Sequence, residues 1–298
     1  MFGPTRAFHH TEFQLGDLLA AKAGQRVTVC LPAKNEAATI GAIVALLRDE
    51  FIDAAPLLDE ILVVDDGSTD RTAEVARAAG ARVERTADLL PELGPGTGKG
   101  ETMWKGLSAA VGDIVVWCDA DITNFSGRFI IGLLGPLLTE PTVGFTKGFY
   151  DRPIDGMTGA GGRNTELVAR PLIALLHPHL SGIMQPLSGE YGGRRTLLEA
   201  VPFVQGYGVD LGLLIDISAR FGLSSIGQVD LGVRVHRNRT LDDLSPQALA
   251  IMQTAFVKAR LVAIGSAATL RRPGLDPLPM THVERPPLAS LAEEPRTA

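Results

Sequence analysis

The chain has 298 residues, of which 45% are hydrophobic and 21% are charged, a composition that predicts a globular protein with one large domain or two smaller ones. Its formal net charge is -6, and its Lys and Arg residues are dispersed, which argues against a nucleic-acid-binding surface. No apolar run approaches the roughly 18 to 20 residues of a membrane span, and residues 1–13 lack a signal-peptide stretch. We therefore expect a cytoplasmic protein in which Cys30 and Cys118 stay reduced at the ends of buried strands.

The first half of the chain alternates between short β-branched runs and longer helical periods, which is typical of βαβ units that build a parallel sheet. The pattern predicts strands over residues 27–31, 60–64, 81–84 and 114–118. Helices are expected between them, over residues 37–49, 69–79 and 100–111. We assign residues 13–121 to an α/β half, in which ligands should bind in the loops at the carboxyl ends of the strands.

From residue 122 to residue 270 the alternation is less regular and indicates an α+β half. We expect helices over residues 126–138, 163–176 and 209–221, and strands over residues 143–150 and 225–235. A long amphipathic helix is predicted over residues 245–270, with an apolar face formed by Leu249, Met252, Phe256 and Leu261. The proline-rich segment 271–298 should lack regular structure, so we expect a flexible tail or one that lies against the body or a partner subunit.

Polar loops follow the first two predicted strands. The first loop is Pro-Ala-Lys-Asn-Glu over residues 32–36, a turn that can hold a flat ring against its backbone or can simply connect a strand to a helix. The second contains the adjacent carboxylates of Asp65 and Asp66, which repel one another unless they bind hydroxyls, amide donors or a cation. A base or ribose is a natural partner. The alternative is that Ser68 or Thr69 caps the next helix and that the Asp residues favour its N-terminal dipole, which explains Asp70 better than this pair.

The fourth predicted strand ends in Asp119-Ala120-Asp121, the most specific signal in the sequence. Residues i and i+2 of an extended segment point to the same side, so both carboxylates can face one divalent cation. Mg²⁺ or Mn²⁺ suits such a site, because these ions accept few protein carboxylates and complete their shells with phosphate oxygens and water. The motif at a strand end therefore predicts a metal-bound diphosphate.

A glycine-rich loop over residues 94–101 carries Lys99 into the third predicted helix of this half. Its backbone amides and ammonium group can hold phosphate or sugar hydroxyls. The loop is not a nucleotide-hydrolase P-loop, because Gly100 follows Lys99 where Ser or Thr is required.

These loops, in this order, resemble those of the nucleotide-diphosphosugar transferases of glycosyltransferase A fold. Later segments sharpen the resemblance, and these are Gly-Gly-Arg-Asn-Thr-Glu-Leu at 161–167, Pro-Leu-Ser-Gly-Glu-Tyr at 186–191, Gly-Tyr-Gly-Val-Asp at 206–210 and His-Arg-Asn-Arg at 236–239. Together they resemble the glucosyl-3-phosphoglycerate synthases of actinobacteria, which are close to the mannosyl-3-phosphoglycerate synthases. The resemblance covers about residues 13–270.

The resemblance implies an α/β glycosyltransferase A fold with a mixed central sheet, a Rossmann-like nucleotide-sugar-binding half and an acceptor-binding half. It also implies a metal-dependent, retaining transfer of glucose from UDP-glucose to 3-phosphoglycerate. The cofactor would be Mg²⁺, with Mn²⁺ or another divalent cation as a substitute. The enzyme would be a homodimer that serves methylglucose lipopolysaccharide biosynthesis.

The family resemblance implies which residues contact each part of the substrates and the metal. The uridine would contact Pro32, Ala33, Glu36 and Asp66. The rest of the donor would contact Lys99, Asp119, Ala120, Leu187, Asp210 and Arg239. The metal would bind Asp121 directly, with His236 as a further ligand and Asp119 beside it. The acceptor would contact Gly162, Arg163, Asn164, Thr165 and Tyr207. Catalysis would depend on Asp121, Arg239 and Lys99.

The residues of the acceptor segment are compatible with this role. Arg163, with the amides of Asn164 and Thr165 at a helix start, forms an anion site that suits a phosphate or carboxylate. The alternative is a helix start with a solvated arginine. Two positions depart from the family pattern, since Asp210 stands where we expect Glu and Ala120 where we expect Ser, and the shorter Asp210 leaves recognition of the donor hydroxyls open.

Other functions remain to be separated from this one. Mannosyl transfer from GDP-mannose or transfer to a lipid phosphate would use the same fold, although Arg163 favours a small anionic acceptor. A sugar-nucleotide-forming nucleotidyltransferase would carry its glycine-rich basic loop directly after the first strand, where this chain has residues 32–36. A non-catalytic UDP-binding module would not need the set of Asp119, Asp121 and His236.

Overall fold

The strands were located in a computed structural model, which describes residues 6–153, 162–235 and 240–291. In chain order they are β1 (Arg6–His9), β2 (Val27–Ala33), β3 (Glu60–Asp65), β4 (Arg82–Arg85), β5 (Ile114–Trp117), β6 (Phe145–Asp151), β7 (Tyr191–Arg194), β8 (Phe203–Val204), β9 (Ile226–Val233), β10 (Ala267–Arg272), β11 (Leu275–Thr281) and β12 (Glu284–Arg285).

The α-helices lie between and after these strands. They are α1 (Leu15–Lys22), α2 (Ile40–Arg48), α3 (Thr72–Ala78), α4 (Gly98–Ala109), α5 (Arg128–Thr139), α6 (Arg170–Leu176), α7 (Arg195–Leu198), α8 (Val209–Phe221), α9 (Leu241–Lys258) and α10 (Leu288–Leu291). A π-helical turn, Thr165–Ala169, leads directly into α6.

The central sheet has eight strands in the order β1-β9-β6-β7-β5-β2-β3-β4. β7 is antiparallel to both of its neighbours, β5 and β6, while the other neighbouring strands are parallel. The predicted mixed sheet is therefore confirmed. Because β2 to β5 precede residue 121 and β6, β7 and β9 follow it, the sheet joins both predicted halves, and the boundary at residue 121 stays a prediction.

The central strands are apolar on both faces, and each face contributes to a different core. Along β3, Ile61 and Val63 pack into one cluster while Leu62 and Val64 pack into the other. Successive side chains of a strand point to opposite faces, so a strand that is covered on both sides reads as a continuous apolar run. This is why the predicted central strands of the first half, which became β2, β3 and β5, agree with the observed ones to within two residues.

The elements of the second half are also found where the sequence places them, with one exception. The predicted helix over 245–270 is wrong at both ends, since α9 spans Leu241–Lys258. Its start is fixed by a capping box in which Thr240 accepts from the N–H of Asp243. It ends because Arg260 adopts a left-handed φ of 59°, a turn that glycine usually marks in a sequence.

The apolar face of α9 also differs from the predicted one. Its buried positions are Ile251, Thr254, Ala255 and Val257. Met252 and Phe256 are about one-third exposed, and Leu261 lies beyond the helix end. The helix packs against α6, α8 and the turn at residues 206–208, so its buried face is set by these neighbours.

The expectation of a tail without regular structure is wrong for the described part of residues 271–298. β10 and β11 form an antiparallel hairpin, and β12 pairs with β8. Pro277 and Pro279 lie in β11, which pairs with β10 alone among the described strands, and an edge strand tolerates residues without an N–H. Of the two alternatives for this segment, contact with the body is the one observed at β12.

The structure also describes the two cysteines and the apolar character of the helices. Cys30 and Cys118 are both free and fully buried, as predicted. Within the described ranges, none of the helices combines the length and apolar character needed to cross a membrane.

Replacement of Leu133 by Ala should lower the free energy of unfolding by about 3 kcal/mol, because this α5 side chain is fully buried between the helix and the sheet. The matched control is Leu175→Ala on α6, where the leucine is 77% exposed, and it should change stability by less than about 0.5 kcal/mol. Urea denaturation of both variants tests this, and equal losses of stability would contradict the assigned core.

Candidate active site

A cavity of about 480 Å³ opens at the carboxyl ends of β2, β3 and β5. Its lining includes nearly all the residues that the sequence singled out, namely Pro32, Ala33, Glu36, Asp66, Lys99, Asp119, Ala120, Asp121, Gly162, Arg163, Asn164, Thr165, Leu187, Tyr207 and Asp210. The remaining two, His236 and Arg239, lie outside the described residues. Segments from both halves of the chain thus meet around one space.

The loops after β2 and β3 are tied to each other by hydrogen bonds between backbone N–H groups and side-chain oxygens. The N–H of Asn35 donates to Ser68 Oγ at 2.9 Å, and Asn35 Oδ1 accepts from the N–H of Thr69 at 2.8 Å. Asn35 has a left-handed φ of 58°, a conformation in which asparagine is one of the favoured residues. This cross-link fixes the part of the cavity that is lined by Pro32 and Ala33.

The two adjacent aspartates after β3 have different roles, which the sequence left open. Asp65 Oδ1 accepts from the N–H of Ser68 at 3.2 Å, so this carboxylate closes the turn. Asp66 lines the cavity and forms an ion pair with Lys34 at 3.3 Å. Asp70 accepts from the N–H groups of Ala37 and of Thr72, the first residue of α3. Of the adjacent Asp65 and Asp66, Asp66 is therefore the one available to a ligand.

The carboxylates of Asp119 and Asp121 point to the same side, as the spacing predicts. Both contact one nitrogen, Arg234 Nη2, at 2.9 Å and 2.8 Å respectively. Arg234 Nε lies 3.2 Å from the carboxylate of Glu190, which is fully buried. A Cβ at Gly189 would overlap the Asp119 carboxylate, so glycine is required beside it. One guanidinium group thus holds three carboxylates together.

This charge network shifts the pKa values of its members. Burial alone would raise the pKa of Asp119, but Lys99 and Arg234 outweigh that effect and hold it well below its usual range. Burial raises the pKa of Glu190, although Arg234 opposes the shift. The pKa of Arg234 is raised, since the carboxylates around it outweigh its burial. Asp119 is therefore ionised at neutral pH and available to a cation.

Lys99 joins the glycine-rich loop to this network. Its ammonium lies 3.0 Å from Asp119 Oδ1 and 3.5 Å from Asp210 Oδ1. The same Asp210 oxygen accepts a hydrogen bond from the hydroxyl of Tyr191 at 2.9 Å. One oxygen of the shorter Asp210 side chain is thus held in place by two neighbours at the wall of the cavity.

The acceptor segment forms another wall of the cavity. Gly162 has a left-handed φ of 85°, and its carbonyl accepts from the N–H of Glu166, so the chain enters a helix at the predicted position. Arg163 lines the cavity within this first turn. Arg152 lies on the same cavity, donates to the hydroxyl of Tyr150 at 2.9 Å and has no hydrogen-bond partner at Nε in the described part of the chain. Together with Arg234, three guanidinium groups of the described residues therefore line this cavity.

The donor set fits a hard divalent cation. Asp119 and Asp121 supply two carboxylates on one side of the cavity, at the end of a buried strand. Among described residues, no group of three His, Cys, Asp or Glu side chains forms a complete metal site. Mg²⁺ and Mn²⁺ accept such an incomplete set, because substrate phosphate oxygens and water complete their coordination. The third predicted ligand, His236, belongs to the segment that is not described.

Sequence reasoning missed Arg234 and Glu190 as members of the site. Glu190 is part of the segment 186–191 that carries the family resemblance, and Arg234 precedes His236 by two residues in the sequence. The sequence did contain a signal for Arg234. Two aspartates at the end of a buried strand require a nearby cation, and Arg234 is an arginine that directly follows the largely buried strand β9.

Lys147 lies behind the cavity and is almost completely buried. Its ammonium donates to the carbonyl of Ser188 at 2.8 Å and lies 4.1 Å from the centre of the Tyr191 ring. Burial lowers its pKa to about 8, although Asp210, Glu190 and Asp119 oppose the shift. This buried cation supports the ring that in turn holds Asp210.

Several known proteins are similar to this chain. Residues 28–172 match the glycosyl transferase family 2. The glucosyl-3-phosphoglycerate synthase of Petrotoga mobilis is 44% identical over 97% of this chain and 94% of its own. A crystal structure of the glucosyl-3-phosphoglycerate synthase of Mycobacterium tuberculosis in complex with Mn²⁺, UDP-glucose and phosphoglyceric acid has a TM-score of 0.88 at 43% identity, covering 97% of this chain and 99% of that one. A structure of the same enzyme with Mg²⁺ and UDP has a TM-score of 0.86 at 43% identity, covering 96% and 99%.

The buried Lys147 should make stability depend on pH. Its folded pKa of about 8 is below the value of about 10.4 for an unfolded chain, so the unfolded state binds more protons between these values. The free energy of unfolding contributed by Lys147 therefore rises as the pH rises through 8. Between pH 7 and pH 9 the wild type should gain about 1 kcal/mol relative to Lys147→Met in urea denaturation. A difference between the two proteins that stays constant with pH would contradict the lowered pKa.

Proposed function

Since this chain belongs to the family of glucosyl-3-phosphoglycerate synthases, we propose that it transfers glucose from UDP-glucose to 3-phosphoglycerate and forms glucosyl-3-phosphoglycerate. One observation carries the proposal. A single cavity is lined both by the loops after β2, β3 and β5, which suit a nucleotide sugar, and by the acceptor segment with Arg163. A family likeness without such a cavity would support the fold alone.

The donor would lie along the loops that follow the parallel strands. Pro32, Ala33, Glu36 and Asp66 would contact the uridine, with Asp66 as a hydrogen-bond acceptor. Lys99, Ala120, Leu187 and Asp210 line the part of the cavity assigned to the rest of the donor, and Arg239 is assigned to its diphosphate from the resemblance. In open α/β sheets, ligands bind at the carboxyl ends of the strands, which is the position of these loops.

A divalent cation, Mg²⁺ or Mn²⁺, would bind Asp121 with Asp119 beside it and His236 as a further ligand. When bound, such an ion stabilises the negative charge that develops on the departing UDP. The chain's own contribution is to keep Asp119 ionised and to hold both carboxylates on one side. Lys99 and Arg234 do so by neutralising their mutual repulsion in a partly buried site.

The acceptor would be held by Arg163 with the backbone of Gly162, Asn164 and Thr165, and Tyr207 would contact it from the opposite segment. A guanidinium group binds a phosphate or carboxylate with two parallel hydrogen bonds, which orients as well as attracts it. An acceptor fixed in this way presents its hydroxyl to the anomeric carbon, and positioning of this kind supplies a large part of an enzyme's rate enhancement.

Several parts of the proposal rest on the family resemblance alone. These are retention of the anomeric configuration, assembly as a homodimer, a cytoplasmic location and a place in methylglucose lipopolysaccharide biosynthesis.

The first experiment is a product assay with the purified full chain, Mg²⁺ and 3-phosphoglycerate, with UDP-glucose or GDP-mannose in separate reactions. Mass spectrometry should detect a glucosylated acid with UDP-glucose and no product with GDP-mannose. Asp121→Ala should reduce turnover by about 100-fold or more, because it removes the proposed metal ligand. Asp17→Ala, which replaces an exposed aspartate on α1, is the matched control and should retain wild-type activity.

Each other outcome of this assay has a distinct meaning. Product with both donors would make the enzyme a relaxed-donor hexosyltransferase, and product with GDP-mannose alone would make it a mannosyltransferase. Binding of UDP with Mg²⁺ but no product from either donor would refute the acceptor assignment. Full activity of Asp121→Ala would remove Asp121 from the metal site.

Arg163→Ala should raise the KM for 3-phosphoglycerate by about tenfold or more, the cost of one charge-assisted hydrogen bond, and should leave the KM for UDP-glucose unchanged. The matched control is Arg170→Ala on the same helical segment, whose arginine pairs with Glu166 and does not line the cavity. Steady-state kinetics with each substrate varied in turn measures both constants. A rise confined to UDP-glucose would assign Arg163 to the donor instead.

A further inference from the structure

The loop that carries Lys99 is held by a residue from the far end of the chain. Arg285, in β12, reaches across to the glycine-rich loop and to the first turn of α4. Its Nε lies 2.6 Å from Glu101 Oε2, and its Nη2 lies 2.7 Å from Glu101 Oε1. Its Nη1 also donates to the carbonyl of Leu93 at 2.7 Å, and Nη2 to that of Gly94 at 2.9 Å. One guanidinium group thus links the loop, the helix and the C-terminal segment.

Glu101 is the centre of this arrangement. Its side chain is fully buried, and a second cation, Lys105, lies 3.5 Å away. A Cβ on Gly96 would overlap the Glu101 carboxylate, so the loop passes directly over the ion pair. The path of the backbone from residue 94 to residue 98 is therefore determined by where Arg285 holds Glu101. Lys99 is the next residue in the chain, so its position depends on this path.

The same C-terminal segment also supports the opposite wall. β12 pairs with β8, with Arg285 opposite Phe203, and the N–H of Gln205 donates to the carbonyl of Val283 at 2.9 Å. β8 leads into the turn that carries Tyr207 and then into α8 with Asp210. The backbone of Gly206 in turn donates to the carbonyl of Thr97 in the glycine-rich loop at 3.1 Å. The glycine-rich loop and the turn that carries Tyr207 are thus joined to each other near β12.

We propose that Arg285 is a positioning residue for the donor site, which acts through Glu101 and the glycine-rich loop to place the ammonium of Lys99 beside Asp119 and Asp210. The inference rests on the proposed function in one respect, since it takes the donor to be the ligand that Lys99 meets. Arg285 does not line the cavity and has no contact with Lys99 among the contacts described. Its effect on the donor must therefore be indirect.

The chemistry of the guanidinium group predicts a graded response to substitution. Arg285 uses all three guanidinium nitrogens at once. Nε binds Glu101, Nη1 binds a backbone carbonyl, and Nη2 binds both Glu101 and a second carbonyl. A lysine at this position keeps the charge opposite Glu101 but has a single nitrogen that cannot reproduce the planar fork. Arg285→Lys should therefore restore part of what Arg285→Ala loses.

The chain offers a matched control at the other end of the same helix. Arg195 pairs with Glu199 at 2.9 Å and donates to the carbonyls of Leu107 and Gly112, near the C-terminal end of α4. Like Arg285, it is a partly buried arginine that binds one glutamate and several backbone carbonyls. Arg195→Ala should destabilise the protein in a similar way without moving the loop at the start of α4.

The experiment compares wild type, Arg285→Ala, Arg285→Lys and Arg195→Ala in the full chain. Steady-state kinetics gives KM and kcat for UDP-glucose and for 3-phosphoglycerate, and thermal denaturation shows which variants are folded at the assay temperature. We expect Arg285→Ala to raise the KM for UDP-glucose by about tenfold, Arg285→Lys to give an intermediate value, and Arg195→Ala to stay near wild type. The KM for 3-phosphoglycerate should remain unchanged in all of them.

Two results would overturn the proposal. One is a folded Arg285→Ala protein with a KM for UDP-glucose within twofold of wild type. The other is an equal rise in KM for Arg195→Ala, which would show that general destabilisation is responsible. If Arg285→Ala does not fold, the comparison of Arg285→Lys with Arg195→Ala decides in the same way.

A binding measurement separates this proposal from the proposed function. Calorimetric titration of UDP with Mg²⁺ into the same proteins requires no turnover. Weaker UDP binding by the Arg285 variants than by Arg195→Ala supports the positioning role even if wild type forms no glucosyl-3-phosphoglycerate, a result by which only the proposed acceptor reaction would fail. Equal UDP affinity in wild type and folded Arg285 variants refutes the positioning role even if the transfer reaction proceeds.

Discussion

Three carboxylates surround the guanidinium group of Arg234, and their mutual repulsion is the constraint on which the rest of the site depends. Asp119 and Asp121 must stay ionised to meet a cation, yet like charges in a partly buried environment disfavour ionisation. Arg234 offsets this with one nitrogen shared by both aspartates and another beside Glu190. Removal of such a partner would leave buried charge without compensation, which is more costly than the loss of a surface ion pair.

The topology of the sheet explains how these groups come together. β7 runs antiparallel between β5 and β6, so the segment that enters β7, with Gly189 and Glu190, lies beside the end of β5, where Asp119 follows. β9 runs parallel to β6 and delivers Arg234 to the same edge. The insertion of one antiparallel strand into a parallel sheet thus brings the start of one strand to the ends of its neighbours. The absence of a Cβ at Gly189 leaves space for the Asp119 carboxylate.

Support for the cavity extends well beyond the residues that line it. The hydroxyl of Tyr191 holds Asp210, and the buried ammonium of Lys147 lies against the same ring. On the other side, Arg285 fixes the loop before Lys99 through Glu101. Each of these contacts restricts a group that would otherwise lose conformational entropy when a ligand binds, and such preorganisation favours both affinity and correct placement.

The sequence by itself determined the features that depend on residues close together in the chain. The buried strands, the helices between them, the paired direction of Asp119 and Asp121 and the helical start at Arg163 all follow from local periodicity and spacing. Only the tertiary structure decided which charges meet, because Arg234 lies 113 residues from Asp121 and Arg285 lies 184 residues from Glu101. The end of α9 and the strands of the proline-rich segment were also beyond local rules. A left-handed arginine ends that helix, and pairing with β8 orders β12, so distant contacts override what composition favours.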